Sequence, residues 1–209
     1  MLAIIRNSKK TLLIVAAAAC PAAASAQMSP QIIDFGQADV SSDTQTLVLV
    51  KALPYGQPKP DPLLTAAYTH WKDGWSASVG YMYRWGLTNG DHKWSVGAGA
   101  GGNRFVSEDE NKSAASLRGQ TELSGPAPGG NYYLLAQLST FRKGAFGLAQ
   151  YNLADSPLGF EVSHYNETGH HHTTAAVRYN LGSSKWFLRA GAIWAEKDQP
   201  FIGVGYNGF

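Results

Sequence analysis

Cysteine is all but missing from this chain: of 209 residues only Cys20 is one. Cys20 falls in an N-terminal stretch that reads as a cleaved leader, so the mature chain holds no thiol and no disulfide can form. Stability must then come from strand pairing and burial alone. Charge is also sparse, at 15% of residues. Removing the leader's three basic residues from 17 leaves 14 Lys plus Arg against 15 Asp plus Glu, a net charge of −1. That balance excludes a strongly basic nucleic-acid surface. Long apolar runs are missing too. Beyond Thr11 to Ala19 no segment approaches the roughly 18 apolar residues of a membrane-spanning helix. No apolar stripe of helical period appears either, so any contact with a membrane must be made by strands.

The leader is legible in its parts. Arg6, Lys9 and Lys10 form a basic head, Thr11 to Ala19 an apolar middle, and Ala24-Ser25-Ala26 a small-residue cleavage site before Gln27. An alternative processing site is Ala18-Ala19-Cys20, which would leave Cys20 acylated as in a lipoprotein. The domain division expected is a signal peptide over 1–26, then an N-terminal segment with a Pro-rich linker over 27–61, holding up to two strands. A β-domain follows over 62–209.

What the mature chain does have is alternation of period two, broken roughly every dozen residues by turn residues. Trp75, Ala77, Val79, Tyr81, Tyr83 and Trp85 share one face, opposed by Ser76, Ser78, Gly80, Met82 and Arg84. Ala115, Leu117, Gly119, Thr121 and Leu123 oppose Ser116, Arg118, Gln120, Glu122 and Ser124. Trp186, Leu188, Ala190, Ala192 and Trp194 oppose Lys185, Phe187, Arg189, Gly191 and Ile193. Thr173, Ala175, Val177, Tyr179 and Leu181 fall outward, with Arg178 and Asn180 inward. A water-soluble sandwich alternates as well. The placement of indoles separates the two readings. Trp75 with Trp85, and Trp186 with Trp194, stand at opposite ends of an apolar face with small residues between them. This suits two membrane interfaces better than a sandwich core, whose largest groups belong mid-strand.

Strand candidates run 63–72, 75–86, 93–105, 114–124, 131–141, 144–154, 158–167, 172–181, 185–195 and 199–209, which makes ten. Thr46 to Leu53 and Gln31 to Val40 would raise the number to twelve. Single-chain bacterial barrels take even numbers, so ten or twelve antiparallel up-and-down strands are expected and eleven is not. Turns are placed at Lys72-Asp73-Gly74, Arg142-Lys143-Gly144, Ser156-Pro157 and Gly182-Ser183-Ser184. The stretch Pro54 to Pro62 carries four prolines and is expected to lie outside any ladder. The loops at the end away from the termini are all short: Lys72 to Trp75, Ser107 to Ala114, Phe141 to Ala145, Tyr165 to Thr173 and Ala195 to Pro200.

The chain ends Phe201-Ile202-Gly203-Val204-Gly205-Tyr206-Asn207-Gly208-Phe209. With the export leader, the aromatic ends and the alternating strands, this terminal strand resembles the closing strand of the Gram-negative outer-membrane β-barrel superfamily. The resemblance implies an all-β transmembrane barrel in the outer membrane, contact with its lipid, and recognition by the barrel-insertion machinery through Tyr206 and Phe209. These cues identify no individual family and carry no site residues across. Outward alternation through Tyr206 should continue to Gly208, so a bulge at Asn207-Gly208 is expected, and without it Asn207 would face lipid.

The expected lumen carries the nearest thing to a functional signal. Arg84, Arg118, Arg178 and Arg189 fall inward, with Glu122 and Glu161 as partners and Gln120, Gln137 and Asn180 as neutral companions. An excess of guanidinium in a confined space lowers the energy of passing anions, so a small passive pore for anionic solutes or saccharides is expected. In so narrow a barrel the same groups could equally pair across the lumen and plug it. The barrel would then be a structural or assembly partner in a secretion or polysaccharide-export system. Inward Gly97, Gly99 and Gly101 would leave local room or permit strand curvature.

No motif implies a cofactor. Glu167, His170, His171 and His172 cluster in a predicted loop, but consecutive histidines on an extended segment diverge, and a solvated polar loop is expected rather than a metal site. His164 and His70 are expected near the lipid boundary at a barrel end. Catalysis finds little footing. Ser163 and His164 are neighbours on a strand and should face opposite sides. No Gly-x-Ser-x-Gly elbow occurs, and the stretch matches no lipid A deacylase signature. No catalytic residue is assigned, and a lipid A-modifying enzyme is the lesser alternative.

Overall fold

The computed structural model describes residues 33–53 and 61–208. The leader, Cys20, the prolines at 54, 58 and 60, and Phe209 lie outside the described residues. Twelve strands follow in order: β1 Phe35–Ser41, β2 Gln45–Ala52, β3 Asp61–Trp71, β4 Gly74–Asn89, β5 His92–Ser107, β6 Asn111–Ala127, β7 Gly130–Ser139, β8 Gly144–Leu153, β9 Leu158–Glu167, β10 His170–Asn180, β11 Trp186–Trp194 and β12 Gln199–Asn207. Each pairs antiparallel with its neighbours in sequence, and β1 pairs with β12, so the sheet closes into a barrel. The architecture is all-β and up-and-down, with twelve strands rather than ten. Among the described residues no helix is long and apolar enough to cross a membrane.

The start of β1 and the end of β12 lie at one end of the barrel, here called the terminal end; the opposite end is the far mouth. Tight turns close both ends. At the terminal end Gly90 (φ +60°) and Gly129 (φ +78°) adopt the left-handed backbone that the β4–β5 and β6–β7 reversals need and that a side chain disfavours.

The closing seam runs from Phe35 opposite Asn207 to Ser41 opposite Phe201. It is fastened at both ends. Gly208 N–H donates to the Asp34 carbonyl at 2.7 Å, and the Asp34 carboxylate accepts from Ala52 N–H at 2.8 Å and pairs with Lys51 at 3.3 Å. At the far mouth Ser41 Oγ donates to Gln199 Oε1 at 2.6 Å.

Two expectations are corrected here. The ladder continues unbroken through Asn207, with no bulge, and Asn207 shares the inward phase of Phe35 opposite it. A strand that stays in phase keeps every odd residue from Phe201 to Asn207 inside, so no bulge is needed to keep Asn207 off the exterior. The Pro-rich stretch also yields its end to β3, which takes in Asp61 and Pro62. Proline lacks a donor, but its carbonyl still accepts: Leu53 N–H donates to Pro62 O at 2.9 Å.

Polarity is inverted relative to a water-soluble barrel. The buried apolar side chains Leu63, Met82, Phe105, Phe187 and Phe201 all lie on the inward phase, as do the buried Glu161, Arg178 and Arg189. The exterior exposes Leu117 (68%), Ile202 (68%), Leu138 (66%) and Val79 (63%). Charged and apolar groups therefore share the interior, while the outside is an almost uncharged apolar band.

Candidate functional site

The interior divides into two walls of different character. Along the wall from β9 round to β1, Arg189 Nη2 donates to Glu161 Oε1 at 2.7 Å and Nη1 to Asp39 Oδ2 at 3.0 Å. The Arg189 and Glu161 side chains are 1% and 4% exposed. Arg189 lies over the ring of Phe201 at 4.9 Å. Its register neighbour Arg178 lies over Phe187 at 4.2 Å and is itself buried. Phe187 in turn meets Phe35, ring centroids 6.5 Å apart. Gly203 stands between Arg189 and Asp39 in the ladders, and a β-carbon there would run into the Asp39 carboxylate. The missing side chain is what lets the pair meet across β12. This wall is dry, and its ions hold strands together.

The opposite wall is wetter. Arg118 projects from β6 and lies flat across β5 and β4, donating to Asn103 Oδ1 at 2.8 Å and reaching Thr65 on β3 at 3.5 Å. A β-carbon at Gly80 would stand 2.7 Å from its Nη1, and one at Gly101 would stand 2.9 Å from its Cζ. These glycines make the bed on which the guanidinium rests. Gly97 and Gly99 instead accommodate Met82. Arg118 stays partly exposed, and its Nε has no hydrogen-bond partner. Toward the terminal end Arg84 pairs with Glu122 at 3.5 Å. Glu122 also accepts from Gln120, and Gln137 donates to Gln120 at 3.5 Å.

The sequence-predicted lumen residues thus all fall inside, but they do not form one site. Arg84, Arg118 and Glu122 line the wetter wall; Glu161, Arg178 and Arg189 are packed into the dry one. Alternation gives the face of a residue and says nothing of its neighbours across a closed ring.

Sequence reasoning missed a third group, at the far mouth. Arg142 occupies the 3-10 turn Phe141–Lys143 with φ 51°. Its guanidinium reaches inward over Phe105 at 3.9 Å. It pairs with Glu110 and with Glu167 at 3.2 Å, and donates to the Thr168 carbonyl. Trp71 packs on Phe105 at 5.4 Å and stacks on His170 at 5.8 Å. A turn arginine that folds back into a barrel has no periodic signature, although its left-handed backbone beside Gly144 marks a tight, directed turn.

The histidine cluster is also corrected. It lies on paired rungs, His170 opposite Glu167 and His172 opposite Tyr165, because the β9–β10 turn takes only Thr168 and Gly169. His170 and His172 point inward together and His171 outward. His164 is exterior and within 2.9 Å of Thr173 Oγ1, whereas Ser163 takes the inward phase opposite Thr174. The fold does not bring that serine and histidine together.

The four tryptophans of the expected girdle project outward. Trp75 and Trp194 lie toward the far mouth, Trp85 and Trp186 toward the terminal end. Trp186 contacts Tyr206 edge-on at 5.3 Å. Trp94, absent from the predicted set, joins the terminal-end group and donates to Thr121 Oγ1 at 2.7 Å.

A closed twelve-stranded antiparallel barrel with an apolar exterior and a charged interior defines the class. Solved structures share that fold, two of them KdgM porins. One is described as a KdgM porin, with TM-score 0.50 and 13% identity over 83% of this chain and 97% of that one. The other is a KdgM porin in complex with disordered oligogalacturonate, with TM-score 0.52 and 12% identity over the same shares. At such identity the likeness is one of fold. No protein-family profile matches the chain, and no curated protein matches it.

Proposed function

We propose that the chain is a small outer-membrane channel, reached after export through the cleaved leader, that passes anionic solutes such as acidic saccharides. The observation that carries this reading is Arg118: a partly exposed guanidinium, held flat on a glycine bed by the neutral partners Asn103 and Thr65. A fixed cation on a wall offers a passing carboxylate attraction without blocking its path. The apolar exterior supports a membrane setting, with outer-membrane lipid as the surrounding solvent and β12 as the segment presented to the insertion machinery. The structural neighbour solved with oligogalacturonate, a chain of sugar acids, supports the substrate class. No enzymatic step and no cofactor enter this reading.

Single-channel recording of the refolded barrel across a salt gradient tests it. The expected result is a steady conductance with an anion-selective reversal potential, and loss of much of that selectivity in Arg118→Gln and further loss in Arg84→Gln. Unchanged selectivity in both variants overturns the reading. A second reading, a non-conducting barrel that serves envelope assembly, draws support from the Trp71 and His170 stack across the far mouth. Silence from protein shown to be folded and inserted would favour it.

A further inference from the structure

On β10, His170 and His172 are separated by one outward residue and so share the inward face. Nδ1 of His172 stands 3.4 Å from Nε2 of His170, with the rings 5.5 Å apart and 58° from parallel. For a hydrogen bond this is long, since N–H donors lie at roughly 2.7–3.2 Å from their acceptors. For a metal it is apt. Two nitrogens each bound at roughly 2.0–2.1 Å to a tetrahedral zinc ion stand about 3.3–3.4 Å apart along the tetrahedron's edge. A square-planar ion would need them closer, at about 2.8 Å.

We propose that His170 and His172 form a seat for exchangeable zinc at the far mouth of the barrel. Both residues are partly exposed and lie at that end of the barrel. Their surroundings fix the geometry. Trp71 covers one face of His170, 17° from parallel. Tyr165 flanks His172 at 5.4 Å, and its hydroxyl is held by Glu167 at 2.7 Å. Glu167 is otherwise committed to Arg142. Among the described residues no set of three or more His, Cys, Asp or Glu side chains converges as a metal site. The seat therefore supplies two nitrogens, and water or an oxygen of a passing solute completes the coordination. Two ligands rather than three or four make the ion exchangeable instead of structural.

The test is calorimetric titration of the refolded barrel with Zn²⁺, a readout independent of whether the barrel conducts. One saturable site is expected in the wild type. His170→Ala and His172→Ala should each weaken it by more than the roughly 10–100-fold that loss of an outer-shell partner costs. His171→Ala, on the exterior, should leave it unchanged. Should the alanine variants fail to fold, Co²⁺ added to the wild type decides: intense tetrahedral absorption with quenching of tryptophan emission supports the seat, and a weak octahedral spectrum overturns it. No saturable Zn²⁺ binding, or binding undiminished in both inward variants, or binding lost in His171→Ala, likewise overturns it.

Discussion

Trp71 on β3 and His170 on β10 stack at a centroid distance of 5.8 Å, although four strands separate them round the ring by one path and six by the other. They are thus close to opposite walls, and their contact narrows the far mouth. Trp71→Ala should raise unitary conductance while leaving ion selectivity unchanged. Its cost in stability should include the lost aromatic contact, about 0.5–1.5 kcal/mol beyond the area the indole buries. Conductance at the wild-type level would show that the constriction lies elsewhere.

The ions of the dry wall should behave in the reverse way. Arg189→Met strips the buried Glu161 and Asp39 of their shared cation. Removing one partner of a buried pair costs about 3–5 kcal/mol, since the charge left behind cannot be resolvated. The urea midpoint of the refolded barrel should fall accordingly, and anion selectivity in the surviving folded fraction should not change. A selectivity loss as large as that of Arg118→Gln would move the conduction path to this wall.

Two glycines distinguish room for a guanidinium from room for backbone. At Gly80 an added β-carbon meets only movable tips, Arg118 Nη1 and Thr65 Oγ1, both at 2.7 Å. Gly80→Ala should lift Arg118 off its bed and alter selectivity, with stability within about 1 kcal/mol of wild type. At Gly99 the same carbon meets the Tyr81 carbonyl, and Met82 Cα at 2.6 Å. Gly99→Ala should then cost about 1–3 kcal/mol through overpacking against a neighbouring strand. Denaturant titration alongside reversal potentials separates the two effects.

Arg142 ties three hairpins of the far mouth together. Arg142→Gly suits the left-handed backbone at φ 51° and removes only the side chain. It should destabilise by about 1.5–3 kcal/mol, the range for hydrogen bonds to charged groups, and should increase the frequency of brief closures in single-channel records. Arg142→Ala should cost more, because it keeps the left-handed backbone strain that glycine relieves. Equal stability of the two variants would show that the turn, and not the clasp, carries the effect.

Much of the fold was legible because a period of two is a strong signal when repeated many times. Arg84, Arg118, Arg178 and Arg189 share the inward phase in the ladders. Their fates were not legible. Whether an inward arginine is buried beneath Phe187, as Arg178 is, or rests on Gly80 and Gly101, as Arg118 does, depends on which residues the stagger of the closed sheet brings alongside it. The histidines show the same limit. Assigned to a loop, they diverge; placed on paired rungs, His170 and His172 converge. Arg142 escaped altogether, since a long side chain on a turn can reach groups far from it in sequence.

The seam has a consequence in time. Ser41 and Gln199, which close the far mouth, are 158 residues apart in the chain, and Arg189 reaches Asp39 across 150. The first strand therefore has no permanent partner on one side until the last has arrived. Contacts of such high sequence separation are slow to form, and an unpaired strand edge invites pairing with other chains meanwhile. Whatever escorts this protein must keep β1 from engaging the wrong neighbour until β12 is delivered, so a chain truncated before Gln199 should aggregate rather than fold into a smaller barrel.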